Sequence, residues 1–200
     1  IGKSTLVELL KKECDKAQIP YAYVDFSDKT RTDFYTKDIS LLVEDLLDGF
    51  SDGLTGEVYD TIKLYREAQN SGEANKLSDV ARMFQRFIRK LAEKSPVVLF
   101  FDETEQADQD IIVAWLEERI INPLAQDGRC LIVWTGRRPQ RWKRFEVRRR
   151  VRVLELEVFN QESTEKLFEE NGEYSITELA SPVRKLTGGH PYADTIVLQY

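Results

Sequence analysis

Helical and strand-like patterns of apolar residues follow one another along this chain. From Ile39 to Phe50, apolar residues recur at i, i+3, i+4, i+7, i+8 and i+11, which predicts an amphipathic helix. The same spacing returns between Val80 and Leu91. Shorter apolar runs have the length of strands instead, and they lie at residues 21–26, 97–101 and 131–134. Helices that alternate with strands predict an α/β fold built on a parallel sheet.

The most apolar run of the chain extends from Val97 to Phe101. It is unbroken rather than alternating, which is typical of a central parallel strand buried on both faces. Residues 131–134 predict a second buried strand. Residues 151–156 alternate between apolar and charged side chains, which predicts a last strand nearer the edge of the sheet.

The other helices are predicted from spacing and from the residues that end them. The first helix ends at the Gln18-Ile19-Pro20 break, and others are expected at residues 58–69 and 109–124. From Asn160 onward only helices are predicted: one capped by Asn160 or Ser163, one at 176–186 that ends at Gly188-Gly189, and one at 192–200. We therefore assign residues 1–159 to an α/β core and residues 160–200 to a small all-helical domain.

Composition narrows the class of protein. The chain has 200 residues, a formal net charge of −6 and 42% hydrophobic residues, which predicts one ordered domain or one and a half. No apolar run is long enough to span a bilayer, and no signal-peptide pattern is present. Two distant cysteines, Cys14 and Cys130, predict free thiols and a cytoplasmic protein, and with a single histidine a structural zinc site is not expected.

The first residues, Ile1-Gly2-Lys3-Ser4-Thr5, match the second half of a phosphate-binding loop, G-x-x-x-x-G-K-[ST]. Gly2 would let the backbone approach the phosphates, Lys3 would neutralise the β- and γ-phosphate oxygens, and the Ser4 hydroxyl would reach Mg²⁺. The alternative is a chance G-K-S-T at the start of a helix. Because the first glycine of the loop and its strand are missing from the sequence, we expect the chain to be a fragment.

Asp102 and Glu103 follow the most apolar strand, at the sheet edge where open α/β folds bind ligands. In a protein with a phosphate-binding loop, the first acid holds Mg²⁺ and the second polarises the attacking water as a general base. The alternative is an acidic surface turn. A glutamate directly after the Mg²⁺ aspartate indicates the branch of these proteins that has an additional central strand and a catalytic glutamate.

Thr135 and Arg137 follow the strand at 131–134. In that branch this strand lies between the loop strand and the acidic strand, so polar residues at its end face the γ-phosphate. Arg137 is therefore predicted to sense the phosphate. For Thr135, a sensing role and ordinary loop polarity both stay open.

Between Arg137 and Arg152 the sequence contains nine basic residues and one acidic residue, Glu146. Three interpretations stay open. The segment binds nucleic acid with Trp142 and Phe145 as stacking platforms, it presents an arginine finger to a neighbouring subunit, or it is a solvated face. The finger candidates are Arg148, Arg149 and Arg150.

Together these motifs resemble the nucleotide-binding module of STAND ATPases, the signal-transduction relatives of AAA+ proteins that include NACHT and NB-ARC domains. The resemblance spans almost the whole chain, and its motifs are G-K-S-T, F-F-D-E, V-W-T-G-R, L-E-L-E-V-F-N-Q-E-S-T-E-K-L-F and G-G-H-P-Y-A. It implies a P-loop core followed by a helical lid. In the family a G-x-P turn of the lid packs its proline against the adenine, which assigns that role to Pro191 and the shaping of the turn to Gly189.

The resemblance implies a switch operated by ATP/ADP and Mg²⁺. Its nucleotide-binding residues would be Gly2, Lys3, Ser4, Thr5, Thr135 and Pro191, its metal residues Ser4 and Asp102, and its catalytic residues Asp102, Glu103 and Arg137. Hydrolysis would be slow, and self-association or a partner protein would use residues 137–152. The alternatives are a DNA-associated ATPase of the initiator or transposition-helper type, and a scaffold that binds nucleotide without hydrolysing it.

Overall fold

The computed structural model describes residues 2–50, 56, 59–60, 62–64, 67, 77–126, 128–157, 160–171 and 177–188. By internal contacts the chain divides into two compact units. One is Leu6–Arg152, and the other combines Ile1–Thr5 with Val153–Tyr200. The sequence-based assignment of a core at 1–159 and a helical domain at 160–200 stays a prediction.

A parallel sheet of three strands forms the centre of the larger unit. The strands are β1 (Tyr21–Asp25), β2 (Val97–Asp102) and β3 (Cys130–Trp134), in the order β1-β2-β3. Every residue of β2 is buried, as its unbroken apolar sequence predicts for a central strand. The predicted α/β class and all three of these strands are confirmed. On the other edge of β3, no strand pairs with it in the part of the chain that the structure describes.

The two faces of the sheet are covered differently. Helix α1 (Lys3–Lys16) buries Val7 and Cys14 against Val98 and Phe100 on one face. The other face carries the main core, in which the alternate β2 residues Val97, Leu99 and Phe101 meet the helices that follow β1 and β2. Leu131, on the face that α1 covers, remains 60% exposed, so the cover over β3 is thinner there.

Three helices lie between β1 and β2 among the described residues. They are α2 (Lys29–Lys37), α3 (Ser40–Asp48) and α4 (Leu77–Lys94), and residues 59–60 and 62–64 are also helical. The periodic apolar residues from Ile39 to Phe50 are all buried, which confirms the predicted helix and its face. At the end of α3, a Cβ on Gly49 would lie 2.8 Å from the Cα of Ala22, so only glycine lets α3 approach β1 this closely.

The helical run at 109–125, named α5 below, is not a regular α-helix. It contains two π turns, Gln109–Val113 and Glu117–Ile121, which alternate with the α-helical turns Ala114–Leu116 and Asn122–Ala125. The carboxylate of Asp108 begins the run by accepting the backbone N–H groups of Asp110 and Ile111. The predicted element at 109–124 therefore exists, whereas its wider turns were not expected.

The prediction of a strand at 151–156 is wrong. Residues 151–157 belong to neither a helix nor a strand, and Val153 and Leu154 are 64% and 84% exposed. Alternating sequence is compatible with a strand, but a strand also needs a neighbour for its backbone hydrogen bonds. Only the short helix α6 (Phe145–Arg148) precedes this segment after β3.

The C-terminal helices agree with their patterns. Helix α7 spans Gln161–Asn171, and Asn160 caps it by accepting the N–H of Ser163 at 2.8 Å. Helix α8 spans Thr177–Thr187 and is followed by Gly188 at φ 66°, the left-handed conformation expected of a C-terminal glycine. The helix predicted at 192–200 lies outside the described residues.

Two further observations concern the whole described part of the chain. Cys14 and Cys130 are free thiols, as predicted. Among the described helices, none combines the length and the apolar character needed to cross a membrane.

Candidate functional site

Two aspartates end neighbouring strands at the carboxyl edge of the sheet. Asp25 of β1 lies opposite Asp102 of β2 in the parallel register. Both oxygens of Asp25 are used locally, because they accept the backbone N–H and the hydroxyl of Ser27, each at 2.8 Å. Asp102 is 1% exposed and is the more deeply buried acid of the pair.

The carboxylate of Asp102 is held from two directions. Its Oδ1 accepts the backbone N–H of Glu103 at 2.9 Å and the hydroxyl of Thr135, which follows β3. Neither of these bonds uses Oδ2. Hydrogen bonds to the ionised form stabilise a buried carboxylate. The arrangement therefore fixes the Oδ1 oxygen of Asp102 at the carboxyl edge of the sheet.

The end of β3 is tied to the turn after β2. The carbonyl of Thr135 accepts the backbone N–H of Thr104 at 3.1 Å and the Thr104 hydroxyl at 2.6 Å, and the Thr135 N–H donates to Phe101. Thr104 is 3% exposed. These bonds make Thr135 a positioning residue for Asp102 in the structure, while its predicted contact with a phosphate stays a prediction.

Glu103 adopts a conformation that is unusual for a residue with a side chain. Its φ of 50° and ψ of 40° place it in the left-handed helical region, between Asp102 and a 3₁₀ turn at Thr104–Gln106. Such a conformation costs about 1–2 kcal/mol for a residue other than glycine, and it is retained most often at functional sites. Glu103 is half-buried at the end of the central strand.

Tyr23 is a member of the site that the sequence did not single out. Burial raises the pKa of its phenol well above the usual value, and the carboxylates of Asp25, Asp102, Glu8 and Glu103 raise it further. The ammonium group of Lys11 lies 4.3 Å from the centre of the Tyr23 ring and 2.7 Å from Glu8. Tyr23 therefore stays protonated among acidic groups, beside β2. Its place two residues before Asp25 on the same strand is the only sequence signal.

Arg137 lies at the exposed rim of this site. Its Nε is 2.9 Å from Oε1 of Glu105, without the alignment of a hydrogen bond, and its backbone N–H donates to Oε2 at 3.3 Å. The Arg137 side chain is 73% exposed, whereas that of Glu105 is 23% exposed. The sequence indicates Arg137 as a sensor but does not single out Glu105, which fixes the backbone of Arg137.

The predicted phosphate-binding residues belong to the other unit. Helix α1 begins at Lys3, and Gly2 precedes it with φ 80°, a conformation that favours glycine. Ser4 and Thr5 follow in the first turn, where backbone N–H groups are available to an anion. The lid residues Gly189, His190 and Pro191 lie outside the described residues.

The acidic side chains at the end of β2 bear on the predicted Mg²⁺ site. Within the described ranges, no three side chains of His, Cys, Asp and Glu come together as a metal site. Mg²⁺ is usually bound through one or two carboxylates, waters and substrate phosphates. The role of Asp102 as a single carboxylate ligand of Mg²⁺ is compatible with this pattern and stays a prediction.

Comparison with known proteins gives no family assignment. No family model, no curated protein and no solved structure matches this chain. Its own residues and the resemblance of its motifs are therefore the basis for assigning a function.

Replacing Thr135 by valine is expected to lower the free energy of unfolding by about 1.5–3 kcal/mol, because the buried Asp102 loses a hydrogen bond to its charged form. Urea unfolding followed by circular dichroism measures this change. Thr135→Ser keeps the hydroxyl and serves as the matched control. Equal stability of the valine and serine variants would show that the bond contributes little.

Proposed function

We propose that this chain is the nucleotide-binding module of a STAND-type P-loop ATPase that acts in the cytoplasm. It binds ATP with Mg²⁺, hydrolyses it slowly, and uses the bound nucleotide to control conformation and assembly. The larger protein around it serves in signal transduction, defence or regulation. Lid closure over the adenine, through Pro191, belongs to the same proposal.

One observation carries the proposal. A buried aspartate at the end of a fully buried central parallel strand is oriented by a threonine from the neighbouring strand, and a strained glutamate follows it. Ligands of open α/β sheets bind at this edge. In the same sequence, a G-K-S begins the helix that packs Val7 and Cys14 on β2, and this combination supports a triphosphate site.

Each residue of the proposed site has a separate role in ATP hydrolysis. Lys3 and the backbone at Gly2 bind the β- and γ-phosphates, and Ser4 and Asp102 hold Mg²⁺, which neutralises charge on the phosphate oxygens when bound. Glu103 accepts a proton from the water that attacks the γ-phosphorus. The bond from the γ-phosphorus to the bridging oxygen breaks, and ADP leaves with that oxygen. Arg137 responds to the presence of the γ-phosphate.

Lys3→Ala in the full-length protein is expected to weaken ATP binding about 100-fold, because a phosphate loses its charge-paired partner. Titration with a fluorescent ATP analogue in the presence of Mg²⁺ measures the affinity. Lys12→Ala is the matched control, since Lys12 is an exposed lysine of the same helix, and it should bind like the wild type.

Two results would refute the proposal. A full-length protein that binds no adenine nucleotide would exclude a triphosphate site. Equal affinities of Lys3→Ala and the wild type would remove the phosphate-binding role of the opening motif. GTP as a competitor tests the base, and ATP is expected to compete at least tenfold better if the lid proline contacts adenine.

A further inference from the structure

The basic segment, residues 137–152, is a concentrated positive surface on an acidic chain. Its nine basic residues and one glutamate give it a net charge of +8, whereas the whole chain carries −6, so the other residues sum to −14. All nine basic side chains are exposed. Because screening limits surface electrostatics to about 10 Å at 0.1 M salt, an anion at this surface responds mainly to the local positive charge.

Most of these cations have no carboxylate partner. Arg137, Arg144 and Arg149 form ion pairs with Glu105, Glu118 and Glu146. In the part of the chain that the structure describes, no ion pair involves the other six, which are Arg138, Arg141, Lys143, Arg148, Arg150 and Arg152. A solvated surface usually intersperses acidic and basic residues, whereas this segment has nine basic residues and one acidic residue, Glu146.

The apolar residues of the basic segment hold it against the core. Val147 is 3% exposed, and the half-buried ring of Trp142 lies 4.9 Å from that of Trp134 in an edge-on contact. The buried carboxylate of Glu117, in α5, accepts the backbone N–H of Arg144 at 2.5 Å. The cations are therefore presented from an anchored backbone. Trp142 packs against the core, so its ring is less accessible to a base than an exposed ring would be.

The side chain of Phe145, unlike that of Trp142, is exposed. Phe145 is 64% exposed and is the first residue of α6, the short helix that also carries Arg148. An exposed aromatic ring in a segment that also carries six cations outside ion pairs is a combination by which single-stranded nucleic acids are bound, because bases stack on the ring while phosphates contact the cations.

We propose that the basic segment binds single-stranded nucleic acid, with Arg138, Arg141, Lys143, Arg148, Arg150 and Arg152 on the phosphates and Phe145 stacked on a base. This proposal is independent of the nucleotide site, because none of these residues is assigned a role there. An arginine finger needs one projecting side chain, and it would explain neither five further unpaired cations nor the exposed ring. An isologous contact between two copies would bring two +8 surfaces together, which is repulsive.

The test measures binding of a fluorescein-labelled 20-nucleotide oligothymidylate to the full-length protein by anisotropy, from 50 to 300 mM salt. A triple variant, Arg141→Gln/Arg148→Gln/Arg150→Gln, should bind at least tenfold more weakly at 100 mM salt. Its slope of log K against log salt should be shallower by about 2, since each phosphate contact on a single strand contributes about 0.7. The matched control removes three exposed charges elsewhere, Lys12→Gln/Lys90→Gln/Lys94→Gln, and should bind like the wild type.

Phe145→Ala should weaken binding about fivefold or more without changing the salt slope, and Phe145→Tyr should restore the wild-type affinity. Any of four binding results would overturn the proposal: no binding at 50 mM salt, equal losses in the two triple variants, a preference for a 20-base-pair duplex, or equal competition by polyglutamate. The last would assign the surface to an acidic protein. Light scattering of the unliganded protein at the same concentrations identifies self-association, and dimerisation lost in the arginine variant would also refute the proposal.

Discussion

Glu103→Gln is expected to lower the rate of ATP hydrolysis by about 10²–10⁴-fold while leaving ATP binding intact, because glutamine keeps the shape of the side chain and cannot accept the proton. Multiple-turnover release of phosphate measures the rate, and ATP titration measures binding. The ATP-bound assembly should accumulate, which size-exclusion chromatography in ATP would show. Glu93→Gln removes an exposed carboxylate on α4 and should hydrolyse ATP like the wild type.

The backbone conformation of Glu103 allows a second variant to be tested in the same experiment. Glu103→Gly should also lose hydrolysis, yet it should be no less stable than the wild type, because glycine removes the strain at φ 50°. Loss of stability in this variant would mean that the Glu103 side chain supports the fold. Unchanged hydrolysis in Glu103→Gln would remove the general-base role, and slow hydrolysis by both variants with intact ATP binding is the outcome that the proposal requires.

Phe101→Ala is expected to lower the free energy of unfolding by about 3–5 kcal/mol, the largest stability effect that we predict for a single side chain here. Phe101 is completely buried in β2, and its ring lies 5.4 Å from that of Trp134 and 6.5 Å from that of Phe26. Removing the ring leaves a cavity between the aromatic side chains of Phe26 and Trp134. A domain whose free energy of unfolding lies in the usual range of about 5–15 kcal/mol would lose a large part of it.

Urea unfolding followed by circular dichroism and by tryptophan fluorescence measures this loss, since Trp134 is in direct contact with the altered site. Leu131→Ala is the control, because Leu131 lies on the neighbouring strand and is 60% exposed. It should cost less than about 1 kcal/mol. Equal costs for the two variants would contradict the central position of β2 in the core.

The sequence predicted elements well where burial alone decides them. The unbroken apolar run at 97–101 predicted a fully buried central strand, and the 3.6-residue spacing at 39–50 predicted α3 and its buried face. These patterns report which side chains avoid water, and the core of the fold follows from that. The alternation at 151–156 was misleading, because alternation describes faces and says nothing about a hydrogen-bonding neighbour.

The site was predictable in part. The ends of parallel strands lie at one edge of a sheet, so a contact between Asp102 and a residue after β3 was foreseeable, and the structure provides it through Thr135. The contributions of Tyr23 and Glu105 were not foreseeable, because they depend on how strands, helix α1 and turns approach one another. The π turns of α5 were missed for a similar reason, since hydrophobic spacing tolerates one extra residue in a turn. The convergence of Lys3 and Asp102 on one triphosphate stays a prediction.

The hydrogen bond between Glu117 and Arg144 affects both the charge near the basic segment and the order of its backbone. The only hydrogen bond that ties α5 to the backbone of the basic segment, within the described residues, uses a buried acid. Neutralising that acid would make the neighbourhood more positive, and it would leave the packing of Val147 and Trp142 to hold the basic segment against the core. Such a protein would bind polyanions faster, and each bound polyanion would have a less defined position.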